Sequence, residues 1–305
     1  MAVVNLLAPI FLIIALGSGL HRAGMLPQPL VAGINKILYW IGLPAAVFYN
    51  LVIAEPATGG VGALLGVMAG ATLINALLSW LEAPALGIAP GNRGTFVQAA
   101  FRGNLSFVAL PLLLTVPGVP IGQTMLAFAP MLIVHNALAV LVLLASHHES
   151  GWRAWGPIGR EILRNPIILA AVAGAIFQAM RWPVPMAITT TLGSLSKMSL
   201  PLALLCIGAT LMSVPVRGNQ RLAAVAAGHK VVLSPLIGYA LGRWVGLSEP
   251  AMLALLLCLA CPTAAISYTM VKQMGGDEGL AATSVVYASL GSAVSLAVVI
   301  ALFVV

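Results

Sequence analysis

The sequence predicts an all-α membrane protein of ten transmembrane helices, arranged as two inverted five-helix repeats. Three observations carry this expectation. The chain is 61% hydrophobic and only 7% charged, with a mean hydropathy of +1.06, and apolar runs long enough to span a bilayer recur from end to end. Turn signals such as MLPQP, EPATGG, APGNRG, VPGVP, RWPVP and MGGDEG separate those runs. Prolines recur at corresponding places in the two halves.

In chain order, spans are expected near 3–21, 29–52, 61–81, 95–115, 121–146, 166–181, 186–213, 221–245, 249–272 and 278–303. The first lacks a basic leading region and a small-residue cleavage site, so it reads as a retained span rather than a signal peptide. The longest polar stretch, 147–165, divides the chain into a first repeat, 1–146, and a second, 166–305. Pro44 in the second span corresponds to Pro201 in the seventh, and Pro111 in the fourth to Pro262 in the ninth. The intervals are similar, 111 − 44 = 67 and 262 − 201 = 61 residues. Five spans is an odd number, so a second five-span unit starts on the opposite face and the repeats are inverted.

Charge orients the spans. With the N-terminus outside, the inside loops hold Arg22, Arg93, Arg153, Arg160, Arg164, Arg217, Arg221 and Lys272, and the outside loops only Arg181 and Arg243. Cytoplasmic loops carry the excess of Lys and Arg, so both termini are expected outside, periplasmic in a bacterial inner membrane. The net charge of +7 is spread over these loops without interleaved aromatics, which argues against nucleic acid as a partner.

The fourth span, FRGNLSFVALPLLLTVP, organises the functional expectation. A mid-span proline removes a backbone donor and clashes with the preceding turn, so a bend or break is expected at Pro111, and likewise at Pro262. Broken helices in a membrane survive only inside protein or beside a wet cavity, and two in matching places point to a transporter site. Asn104 and Ser106 before the first proline, and Thr263 and Ser267 after the second, are the candidate substrate contacts, with the backbone at Pro111 and Pro262. A half-helix N-terminus there favours an anion.

Four basic residues fall inside spans. Lys36 and Arg102 lie near cytoplasmic ends, within snorkelling reach of the interface; Lys197 and Lys230 are deeper. All seven acidic residues sit in loops or at span ends. An anionic substrate is therefore the natural counter-ion. His135 and His229 could titrate near neutrality or serve as helix–helix hydrogen bonds. The coupling ion, sodium or proton, stays open. Gly62, Gly66 and Gly70 share a face of the third span, and Gly238, Gly242 and Gly246 one of the eighth, suited to close packing.

Cys206, Cys258 and Cys261 all lie in apolar segments and read as small buried residues rather than a redox pair. HHES at 147–150 lacks the spacing of a metal-binding helix face, and no nucleophile elbow or phosphate-binding loop is present. No cofactor, no metal and no enzyme activity are expected.

Several stretches resemble the auxin efflux carrier family, which includes plant auxin exporters and bacterial malate and malonate permeases. They are FLIIALGSGLHRAGML, GLPAAVFYNL, FRGNLSFVALP, MSLPLALLCIGATL and ACPTAAISYTMVKQMGGDEGLAA, and their order covers essentially the full length. The resemblance implies ten helices in two inverted repeats, with helices four and nine broken and crossing at Pro111 and Pro262 and the substrate at the crossing. It implies elevator-type movement of a transport bundle against a scaffold of the first, second, sixth and seventh helices, and a homodimer through that scaffold. Plant members carry an acidic and a basic residue four apart in the third span. The matching positions here are Ala71 and Asn75, which makes auxin a poor default. The expectation is a secondary carrier of small mono- or dicarboxylates such as malate or malonate. A sodium-coupled carrier like the bile acid symporters, or a membrane sensor that binds without transporting, are the alternatives.

Overall fold

A computed structural model of the chain describes residues 2–55, 59–147, 163–213 and 218–304. Among the described residues all regular structure is helical, apart from one isolated β-bridge. Helix α1 is Ala2–Arg22, α2 is Gln28–Ile53 and α3 is Val61–Glu82. The fourth segment is divided into α4, Arg93–Phe101, and α5, residues 105–113. Then come α6, Ile121–Ser146, α7, Pro166–Met180, and α8, Met186–Ser213. Helix α9 is Gln220–Val245. The next segment is divided into α10, Glu249–Ala260, and α11, Ile266–Met274, and α12 is Glu278–Phe303. These limits lie close to the expected ones. The expected linker lies mostly outside the described residues.

Helices α2, α3, α6, α8, α9 and α12 are each long and apolar enough to cross a membrane. Their outward faces are apolar too. Leu290, Val294, Val298 and Leu302 form an exposed stripe on α12, and Leu73, Leu77 and Leu81 form one on α3. Spacing of four residues puts such side chains on one helix face. In water these stripes would be a liability; against lipid tails they carry no such cost.

The half-helices α4 and α10 lie at the centre. Every residue from Gly94 to Phe101 is buried, and every residue from Ala251 to Ala260. Helix α10 is apolar all round beyond its first residue, and such a helix has no solvent face to offer and is found in the interior; α4 is buried with two polar side chains, Thr95 and Gln98. The main core cluster gathers around α10, with Leu43, Leu64, Leu110 and Met125 from four other helices.

The break in the fourth segment is not at Pro111. It falls at Arg102–Asn104, seven residues earlier, and Pro111 sits inside α5 in regular helix. The reason is a π-turn, Leu105–Ala109, just ahead of the proline. A proline ring clashes with the carbonyl four residues back, here that of Phe107 within the π-turn. The wider turn accommodates the ring. The same device precedes Pro44, with a π-turn at Leu38–Gly42, and Pro235, with one at His229–Leu233. Pro262, by contrast, stands in the gap between α10 and α11, where a break was expected.

The glycine faces also need correction. Among the described residues a Cβ on Gly62 or Gly66 would meet nothing within 4 Å, so neither makes a close contact there. Gly238 and Gly242 do face neighbours, the side chains of Leu259 and Met252 on α10. Glycines meet an opposing backbone between α1 and α8. A Cβ on Gly17 would overlap the Leu205 carbonyl and one on Gly208 the Ile14 carbonyl.

Candidate functional site

The two gaps in the helices meet. The Asn104 amide donates to the Pro262 carbonyl at 2.7 Å, and the Ala264 amide donates to the Arg102 carbonyl at 2.9 Å. Gly103 and Thr263 thus form an antiparallel bridge. Each break frees backbone groups that lipid cannot satisfy, and each break satisfies the other. Thr263 Oγ1 donates to the Ala99 carbonyl at 2.7 Å and ties the gap between α10 and α11 to the last turn of α4.

The two C-terminal ends at the crossing receive donors from outside. Asn75 on α3 donates its Nδ2 to the Ala100 carbonyl at 2.9 Å. Lys230 on α9 is fully buried and donates its ammonium to the Leu259 carbonyl. A helix C-terminus carries partial negative charge, so a cation there is well placed. Gly103 leaves the room for this arrangement: a Cβ there would fall 2.7 Å from Cys261 Sγ and 3.3 Å from Lys230 Nζ.

Beside the crossing lies a cavity of about 440 Å³. One wall is the crossing itself, with Arg102, Asn104, Ser106, Pro262 and Thr263; α6 contributes His135 and Asn136, and α8 contributes Cys206, Ile207 and Thr210. Among the described residues its lining includes an arginine and no carboxylate. Arg102 Nη2 donates to Asn136 Oδ1 at 2.5 Å, and Nη1 contacts the Met270 sulfur. Asn104 Oδ1 caps the π-turn by accepting from the Phe107 amide at 3.3 Å. Its Nδ2 has no partner among the described residues, so a donor remains at the cavity wall.

Of the residues singled out in the sequence, Asn104, Ser106, Pro262, Thr263 and His135 line the cavity. Pro111 does not; it is buried in α5. Ser267 is buried in the first turn of α11 and is not part of the lining. Lys197 is exposed on α8, as is Lys36 on α2. Lys230 and His229 sit behind the crossing rather than in the cavity. The residue undervalued in the sequence is Arg102. It is 3% exposed at the crossing, not at the interface. The signal was available: an arginine two residues before Asn104 in an otherwise apolar run. The three cysteines are buried and free. Among the described residues no group of His, Cys, Asp and Glu side chains is disposed to hold a metal ion.

Broken helices that cross beside a cavity with polar side chains in its wall, inside a bundle with lipid-compatible faces, are the build of a membrane solute transporter. The family model described as membrane transport protein matches residues 2–154 and 152–300, and the chain belongs to that family. It is a multi-pass membrane protein of the family that the sequence motifs resemble. No curated protein matches the chain.

Proposed function

We propose that the protein is a secondary carrier of small organic anions, mono- or dicarboxylates of the size of malate or malonate, and not an enzyme. The observation that supports this most directly is the cavity at the crossing, with the Arg102 guanidinium and the open Asn104 amide in its lining and no carboxylate among the described lining residues. A guanidinium fork matches a carboxylate in geometry and charge. The N-terminus of α5 adds backbone donors on the same side. Ser106 is the secondary contact, and Thr263 holds the crossing.

The ten-helix architecture is part of this proposal: two inverted repeats, 1–146 and 166–305, joined by a cytoplasmic linker, with both termini periplasmic in a bacterial inner membrane. The paired crossing supports it, since Asn75 on α3 and Lys230 on α9 serve the two half-helices in equivalent ways. An elevator mechanism fits the location of the cavity between the crossing and the α2 and α8 side chains Tyr39 and Ile207. A homodimer through the scaffold helices is the accompanying expectation.

The test is flux of labelled malate, malonate and indole-acetate into proteoliposomes holding the purified protein. Saturable flux of one of the small acids supports the carrier. Binding of an acid with no flux, in folded protein, would overturn it in favour of a sensor.

A further inference from the structure

His229 lies in the π-turn of α9, buried, with both ring nitrogens engaged. Nδ1 is 2.9 Å from Asn75 Oδ1. Nε2 is 2.8 Å from Glu82 Oε1. The orientation of the Asn75 amide follows from its other side. Its Nδ2 donates to the Ala100 carbonyl at 2.9 Å and reaches the His229 carbonyl at 3.4 Å. Turning the amide over would set Oδ1 against two carbonyl oxygens, so Oδ1 is the atom that faces the imidazole. An amide oxygen only accepts, and Nδ1 therefore carries a hydrogen. On the other side the partner is a carboxylate. Nε2 and the buried Oε1 stand at ion-pair distance with no hydrogen bond between them, and since Nδ1 already carries a hydrogen, a proton added on Nε2 would make the ring a cation beside that carboxylate.

The location suits a coupling site. The Glu82 side chain is 34% exposed, against 10% for His229, so one end of the pair meets solvent. The other end runs through Asn75 to the last turn of α4, two residues before Arg102 at the crossing. The remaining surroundings are mostly apolar. The Phe96 ring meets the imidazole edge-on. Lys230, the next residue, sends its ammonium to the Leu259 carbonyl instead. The helices packed on this turn also bring Arg93, Arg221, Arg243, Glu249, Cys258, Glu278 and Tyr287. Among the described residues none of these makes a hydrogen bond or ion pair to His229.

We infer that Glu82 and His229 form a proton-binding site whose loading is coupled to movement of the substrate at the crossing. On loading, a proton from water enters the Nε2–Oε1 contact and the pair goes from a net charge of −1 to neutral. When the crossing shifts, Ala100 and Asn75 move with it, the contact opens, the Nε2–H bond breaks and the proton leaves to water. The inference rests on the carrier proposed above, and the coupling ion is then the proton rather than sodium.

The experiment is uptake of labelled malate and malonate into proteoliposomes, with the membrane voltage clamped and a pH gradient imposed. Wild type is expected to accumulate label above equilibrium, and E82Q and H229Q to lose that accumulation. Accumulation retained in both variants overturns the proton site, and so does wild-type flux indifferent to the gradient. A chain that moves no acid defeats the carrier instead. In that case infrared difference spectra of the protein in lipid, between about pH 5 and 8, decide the site. Bands that vanish in H229Q and change in E82Q uphold it, and spectra identical to wild type overturn it.

Discussion

The Asn104 amide and the Pro262 carbonyl, 158 residues apart in sequence (262 − 104), are joined by a 2.7 Å hydrogen bond at the point where two broken helices cross. Gly103, between Asn104 and Arg102, is packed against Cys261 and Lys230. Gly103→Ala is expected to destabilise the protein by about 1–3 kcal/mol, since a Cβ would lie 2.7 Å from a buried sulfur. Thermal unfolding in detergent reads this. Cys261→Ala removes the sulfur, and the double variant should recover part of the loss. A Gly103→Ala protein as stable as wild type would mean that the crossing is looser than its contacts imply.

Asn104→Ala removes both the cap on Phe107 and the open donor. The cap is worth about 1 kcal/mol, so the variant should stay folded. Transport should suffer far more, with the KM for the carboxylate raised about tenfold or above, the cost of one charge-assisted hydrogen bond. Uptake kinetics beside a melting curve separate the two effects. Loss of fold in parallel with loss of flux would assign Asn104 to structure alone.

Arg102→Lys tests whether the cavity needs a cation or a fork. Lysine keeps the charge but presents a point donor in place of a planar pair. Retained binding with weakened affinity is expected for Arg102→Lys, and loss of carboxylate binding for Arg102→Gln. Equilibrium binding of labelled malate to purified protein measures both. Equal affinity in wild type and Arg102→Gln would remove the guanidinium from the substrate site.

The helix limits were legible because burial in lipid forces long apolar runs and short polar turns. The break at Pro262 was legible too. The break at Arg102–Asn104 was misassigned to Pro111, because proline is the visible signal while the π-turn that absorbs it has no residue signature of its own. Three prolines, Pro44, Pro111 and Pro235, follow π-turns in this way. Arg102 looked like an interfacial arginine because its depth depends on where the segment breaks. Glu82 looked like an ordinary span end, since its partner His229 is 147 residues away (229 − 82) and periodicity says nothing about which helices adjoin. Gly62 and Gly66 show the converse: a small-residue face is only permissive, and no neighbour among the described residues uses it.

Lys230→Met keeps most of the volume and removes the donor from the Leu259 carbonyl. A buried carbonyl left unpaired costs about 1–3 kcal/mol. The melting temperature should fall, and flux should fall with it, because the end of α10 forms the rear of the crossing. Cys261→Ala in the same background should not restore it, since the loss is electrostatic and not steric. A Lys230→Met protein with unchanged stability would show that the carbonyl finds water, and hence that the rear of the crossing is wet.

The contact between α1 and α8 sets the last expectation. Gly17 and Gly208 face the opposing backbone, and Ser18 Oγ donates to the Gly208 carbonyl at 2.9 Å. Backbone carbonyls cannot swing aside as a flexible side chain can, so Gly208→Ala must push the helices apart. A loss of about 1–3 kcal/mol is expected, the usual range for overpacking. Ser18→Ala should cost less, about 0.6 kcal/mol, as is typical of interhelical hydrogen bonds in membranes. Helix α8 also walls the cavity through Cys206, Ile207 and Thr210, so a displaced α8 should alter the KM for substrate as well as the melting temperature. A shift in stability with KM untouched would mean that α8 yields on its α1 side alone and keeps its face to the cavity.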